Sequence, residues 1–300
     1  MDFITVVMFG IVGAAAQFVD GTLGMGFGIT SATLLSVLGY SAVAASAGTH
    51  AAKVGTTLVS GISHWQVGNV DKRVLLVVAL PGSVGAFIGA VILTNIAMDS
   101  ARLWMALILL VMGVVIVMRF GFGKSLIPQF NPRTRNLWPV GLIGGFVDAT
   151  GGGGWGPVAT PSLMTLTKHE PHRVVGTVNC AEFFVAVAAS MGFIVGAGDS
   201  NIPWLAVLGL VTGGAIVAPF AARLAHRAPR ELLGVLVGGM VLISNAAIIA
   251  KVTGVPGAIA AVIMLVIAVG AVWIGLRAHR AAQESTPAES PTDAMVTDLA

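Results

Sequence analysis

Two segments of this 300-residue chain place an aspartate and a threonine directly ahead of a run of glycines. One is Phe18-Val19-Asp20-Gly21-Thr22-Leu23-Gly24-Met25-Gly26-Phe27-Gly28. The other is Phe146-Val147-Asp148-Ala149-Thr150-Gly151-Gly152-Gly153-Gly154-Trp155-Gly156. Glycine lets the backbone turn sharply and lets a ligand approach its N–H groups. A helix that starts at such a break presents unsatisfied N–H groups and the positive end of its dipole. Two such starts, near Gly26 and Gly154, would bind an anion through the backbone around Gly24, Gly26 and Gly28 and around Gly152, Gly154 and Gly156. Thr22 and Thr150 could donate hydroxyl bonds to that anion or to a local carbonyl. Asp20 and Asp148 repel an anion, so their functional reading is coupling to a proton or a cation. Their structural reading is to cap the helix that follows.

A second constellation lies on the helix expected over Val43–Ile62. Ser46, His50, Lys53 and Thr57 are spaced by four, three and four residues, which puts them on one helix face. The matching helix of the second half carries Asn179 and Glu182, three residues apart. Lys53 and Glu182 fall one position apart when the halves are aligned, so the two are expected to approach each other. Either they form a structural salt bridge, or Lys53 supplies positive charge to a substrate beside His50 and Asn179, with Glu182 or His50 carrying a proton. His169 and His172 flank Glu170 in a short turn, short of a metal-binding pattern. No metal site, cofactor motif or Ser-His-Asp arrangement is present in the sequence. Lone Cys180 cannot form an intramolecular bridge.

The elements that position these residues follow from composition. Apolar side chains make up 56% of the chain and charged ones 10%, against roughly 25% charged in a soluble domain. Mean hydropathy is +0.92. The solvent of this chain is therefore lipid, which excludes cytosolic enzymes, nucleic-acid-binding modules and disulfide-stapled secreted domains. Full-length spans are expected over Val43–Ile62, Val74–Ile96, Ala101–Met118, Arg173–Val195, Pro203–Ala222, Glu231–Ala250 and Val255–Leu276. Four apolar stretches are shorter: Ile4–Val19, Gly26–Leu38, Leu137–Val147 and Gly154–Leu166. Each reaches only about 16 to 24 Å, less than the roughly 30 Å hydrocarbon core. They form two pairs, each broken at one of the glycine runs. No removable signal peptide is expected at the N-terminus.

The two glycine segments lie 128 residues apart and agree at seven of eleven positions. The same offset pairs Gly48-Thr49 with Gly176-Thr177, Gly85 with Gly213 and Met112 with Met240, so the chain is read as an internal duplication. If each broken pair crosses the membrane an even number of times, one side collects thirteen Lys and Arg residues. The other side keeps Arg102 and Lys251, and Lys53 stays within the membrane. That asymmetry puts the N-terminus outside and the C-terminus in the cytoplasm. It also gives each repeat an odd number of crossings and makes the repeats inverted.

The expected fold is therefore an all-α integral membrane protein. Two inverted repeats of about five hydrophobic segments each open on a glycine-broken short-helix pair, and one extra C-terminal span follows. In residues, this gives a first repeat over 1–119, a basic cytoplasmic loop over 120–136, a second repeat over 137–251, an extra transmembrane helix over 252–277 and a disordered cytoplasmic tail over 278–300. Inverted repeats with matching broken helices point to a secondary transporter.

On the two glycine segments, in register with the repeat, the chain resembles the TauE/SafE sulfite exporter family, also known as anion permeases of the 4-toluene sulfonate uptake type. The resemblance covers Phe3 to Arg277. It implies movement of a small sulfur-containing anion such as sulfite, a sulfonate or sulfoacetate across the cell membrane, and no enzymatic activity. The first segment departs from the second at Leu23 and Met25, where the second has Gly151 and Gly153. The expected partners are a small anion, a coupling proton or sodium, and the lipid bilayer, without nucleic acid; the oligomeric state stays open, a homodimer being one option. Two other readings stay open: a passive anion channel, and a membrane enzyme built on Asp20 and Asp148.

Overall fold

The computed structural model describes residues 2–23, 25–66, 68–123, 134–167, 171–197, 202–224 and 230–285. Among them are eleven α-helices, one short 3₁₀ turn over Thr134–Leu137 and no strand. The first five helices are α1 (Asp2–Leu23), α2 (Phe27–Val37), α3 (Ala42–Gln66), α4 (Lys72–Thr94) and α5 (Met98–Phe122). The next five are α6 (Trp138–Gly151), α7 (Trp155–Leu166), α8 (Pro171–Ala197), α9 (Trp204–Leu224) and α10 (Arg230–Thr253). The last is α11 (Gly257–Ser285). Adding 128 to the start of α2 gives the start of α7, and adding it to the end of α1 gives the end of α6. Helices α3 to α5 recur as α8 to α10 within a few residues of the same offset.

Six described helices are long and apolar enough to cross a membrane: α1, α4, α5, α8, α10 and α11. Helix α3 has 25 residues, enough length to cross as well, but carries the polar stripe. Helices α2, α6 and α7 are short, with 11, 14 and 12 residues. Helix α1 differs from the sequence expectation. It runs for 22 residues, about 33 Å, rather than ending at Val19. Hydropathy falls at Asp20, but that carboxylate is occupied by a backbone N–H of α2 (see below), so the helix continues past it.

Lipid provides no hydrophobic drive for helices to associate, so packing depends on close backbone approach. Helix α1 packs on α9, and α4 packs on α6. Each of these interfaces is built from glycine. A β-carbon on Gly13 or Gly213 of the first pair, or on Gly141 or Gly145 of the second, would land on a backbone carbonyl of the facing helix. Much of the glycine excess therefore serves helix contact. Helices α5 and α10 pack together, and α3 packs on α8. The outward faces carry exposed Leu76, Leu80, Val111 and Ile216, as lipid contact requires. Helix α11 lies against α10 and α5 and is otherwise mostly exposed. It continues to Ser285, so the segment after residue 277 starts as helix rather than as tail; the run Ala281-Ala282-Gln283-Glu284 favours helix. Residues 286–300, Gly24 and most of the basic loop lie outside the described residues.

Candidate functional site

The site is assembled where α3 crosses the break between α6 and α7. Helix α3 carries His50 and Lys53 on one face, three residues apart, and both are buried. Helix α6 ends at Gly151. Its C-cap, Gly152, has φ 77°, and its N–H donates to the Asp148 carbonyl at 2.7 Å. That left-handed turn suits glycine, and a β-carbon there would lie 2.6 Å from Ala32 Cβ. The chain then restarts as α7 at Trp155, whose N–H donates to Asp148 Oδ1 at 3.0 Å. The first break makes the same bond at the same spacing: Phe27 N–H donates to Asp20 Oδ1 at 3.2 Å. Each aspartate thus caps the helix that begins seven residues later.

Asp148 does more than cap. Lys53 Nζ donates to its Oδ1 and Oδ2, both at 2.9 Å, and lies 2.7 Å from Glu182 Oε1 on α8. His50 Nε2 is 3.0 Å from Asp148 Oδ2. Ser46 Oγ donates to the Ala149 carbonyl at 2.6 Å and so ties α3 to the break. Charges buried this deeply persist only when paired and hydrogen-bonded, and Lys53 meets both conditions. The approach of Lys53 to Glu182 expected from the repeat alignment is present. Asp20 contributes to the electrostatic environment of Lys53 without a direct ion pair.

The two glycine breaks meet here. A β-carbon on Gly28 would lie 2.8 Å from Gly153 Cα and 3.3 Å from Lys53 Nζ. One on Gly153 would strike the backbone of Ile29. The breaks are in backbone contact, with the Lys53 ammonium at their edge.

Other expected site residues sit differently. Thr150 Oγ1 donates to the Phe146 carbonyl at 2.8 Å, so its hydroxyl is spent on its own helix. Asn179 Nδ2 donates to the Val175 carbonyl at 3.1 Å, and its Oδ1 accepts from Ser60 Oγ at 3.4 Å; it stands beside the Lys53 cluster rather than in it. Gly26 has φ 142° and forms the entry to α2, and Gly154 caps α7. Gly156 is buried in the first turn of α7. The side chain of Thr22 lies outside the described residues. Sequence reasoning passed over Trp155, which is fully buried and donates from Nε1 to the Val178 carbonyl at 3.1 Å. It also passed over Asn245, whose Nδ2 donates to Thr33 Oγ1 at 3.2 Å across α10 and α2. A lone asparagine inside an apolar span was the available signal.

The twin aspartates should respond unequally. Asp20→Asn keeps a capping oxygen and is expected to cost under about 1 kcal/mol. Asp148→Asn removes one of the two carboxylates holding Lys53 and is expected to cost about 3 kcal/mol. Thermal unfolding of the purified variants in detergent checks this; equal losses would contradict the assignment.

A family model described as sulfite exporter TauE/SafE matches residues 9–248. The chain is 44% identical over 243 residues to the probable membrane transporter protein YtnM of Bacillus subtilis (strain 168), covering 80% of this chain and 81% of that protein. It is 26% identical over 235 residues to the probable membrane transporter protein YdhB of the same organism, covering 77% of this chain and 92% of that one. No solved structure matches the chain.

Proposed function

Because the chain belongs to the sulfite exporter TauE/SafE family and is a multi-pass membrane transporter rather than an enzyme, we propose that its cargo is a small sulfur-containing anion: sulfite, a sulfonate or sulfoacetate. The observation that carries this reading is Lys53. A lysine buried where two helix-starting glycine breaks touch combines a full positive charge with two positive dipole ends, the recognition chemistry of a small oxyanion.

In this arrangement the protein's own carboxylates, Asp148 and Glu182, occupy the ammonium. Cargo enters by taking the place of one of them. Glu182 is the candidate to yield, because its side chain is 11% exposed while that of Asp148 is 0% exposed. The breaks must part to admit an anion, since they now touch through glycine backbone. Rocking of one repeat against the other, with the repeats inverted, opens the contact first to one side and then to the other. Backbone N–H groups near Gly26, Gly28, Gly154 and Gly156 then face the cargo, with His50 beside it and a proton or sodium ion moving with it. The thirteen basic residues that gather on one side of the chain orient it with its C-terminus in the cytoplasm.

Uptake of radiolabelled sulfite and sulfonates into proteoliposomes under imposed proton and sodium gradients tests this. Saturable uptake of at least one of these anions is expected. Absence of transport for all of them under both gradients would contradict the reading.

A further inference from the structure

The hydrogen bonds of His50 fix more protons than a neutral imidazole and a carboxylate hold. Nδ1 lies 2.8 Å from the Ser46 carbonyl oxygen, which can only accept. It also lies 3.4 Å from Ser46 Oγ, whose hydrogen is committed to the Ala149 carbonyl. Nδ1 therefore carries a hydrogen. Nε2 faces Asp148 Oδ2 at 3.0 Å. With its hydrogen on Nδ1, a neutral imidazole presents a lone pair at Nε2, and an ionised carboxylate presents another. Two lone pairs at this distance, in a site from which both side chains are fully shielded, repel each other. The contact is a hydrogen bond only when one additional proton lies on the Nε2–Oδ2 axis. Turning the ring over replaces both nitrogens by carbons and loses both bonds.

Resting on the transporter reading above, we propose that the ion coupled to anion movement is a proton, held between His50 Nε2 and Asp148 Oδ2. A sodium ion finds no place on Asp148. Oδ1 already accepts from Lys53 and from the Trp155 N–H, and Oδ2 accepts from Lys53 and shares the proton with His50 Nε2, which occupies both oxygens. The charged groups around this axis are Lys53 on α3, Glu182 on α8 and Asp20 on α1; the Phe193 ring covers His50 from α8, its centroid 5.9 Å away.

Charge balance ties the proton to the cargo. With it, His50 and Asp148 sum to zero and Glu182 balances Lys53. Without it, Asp148 and Glu182 together outweigh Lys53 by one negative charge. An anion entering beside Lys53 is repelled unless the proton is in place, so the two bind together and cross in the same direction.

Two measurements on the full chain in liposomes test this. The first is solid-state NMR near neutral pH on protein labelled at histidine nitrogens and aspartate carboxyls, with assignment by loss of signal in His50→Gln and Asp148→Asn. The expected result is either two protonated ring nitrogens on His50 or a protonated Asp148 carboxyl facing an unprotonated Nε2. A neutral His50 beside an ionised Asp148 would overturn the proposal. The second imposes a gradient of methanesulfonate, which is ionised throughout the working range, and reads a pH dye in the lumen. Acidification as the anion enters is expected. Net uptake of the anion with no change in luminal pH, or net uptake that requires sodium, would overturn the coupling. If neither methanesulfonate nor sulfite exchanges at all, the transporter reading fails for these anions and the coupling role falls with it. The NMR result still decides where the proton lies.

Discussion

Lys53→Met is expected to destabilise the protein by about 3 to 5 kcal/mol, because it leaves Asp148 and Glu182 buried without their shared cation. It is also expected to weaken anion binding by about ten- to a hundredfold, the loss of one charge-assisted contact worth roughly 1.5 to 3 kcal/mol. The two effects are separable. In the triple variant Lys53→Met, Asp148→Asn, Glu182→Gln no buried charge is orphaned in the Lys53–Asp148–Glu182 cluster, so stability should return toward the parent while anion binding stays lost. Thermal unfolding in detergent measures the first, and equilibrium binding of labelled anion measures the second. A triple variant as unstable as the single one would show that the ion pairs do not account for the loss.

Gly145→Leu is expected to prevent assembly of the α4–α6 interface. The β-carbon alone would land on the Gly82 carbonyl, a backbone atom that cannot move aside as a side-chain tip can. Overpacking costs typically 1 to 3 kcal/mol where side chains can yield. Here the helices themselves must separate, so the cost should exceed that range and the folded protein should fail to accumulate in membranes. Gly270→Leu on α11 is the control. A β-carbon there meets nothing within 4 Å, so yield and melting temperature should match the parent. Normal yield of Gly145→Leu would contradict the packing.

Much of this architecture was legible in the sequence because it rests on local pattern. The two breaks announced themselves by their glycine runs, and the meeting of Lys53 with Glu182 followed from the repeat offset and helical spacing. Other features depend on tertiary packing that two equivalent motifs cannot encode. Asp20 and Asp148 align and make the same capping bond, yet only Asp148 takes Lys53 and His50, because the second half has no counterpart to those bases: Val178 and Ala181 stand at the matching positions. The hydroxyl of Thr150 could not be told apart from a ligand donor, since its choice of the Phe146 carbonyl is a matter of rotamer. Hydropathy ends the first apolar stretch at Val19 because it registers the charge of Asp20 and not the Phe27 N–H that satisfies it. Trp155 is apolar in composition and shows its role only once its Nε1 finds the Val178 carbonyl.

Lys53, at the contact of the two breaks, is the cation that a carried anion is expected to bind. Counterflow tests this most directly. Proteoliposomes loaded with unlabelled anion and diluted into a trace of the labelled form should accumulate label transiently with the parent chain and not with the folded Lys53→Met, Asp148→Asn, Glu182→Gln variant. Parental counterflow in that variant, or none in the parent for sulfite and every sulfonate tried, would contradict it.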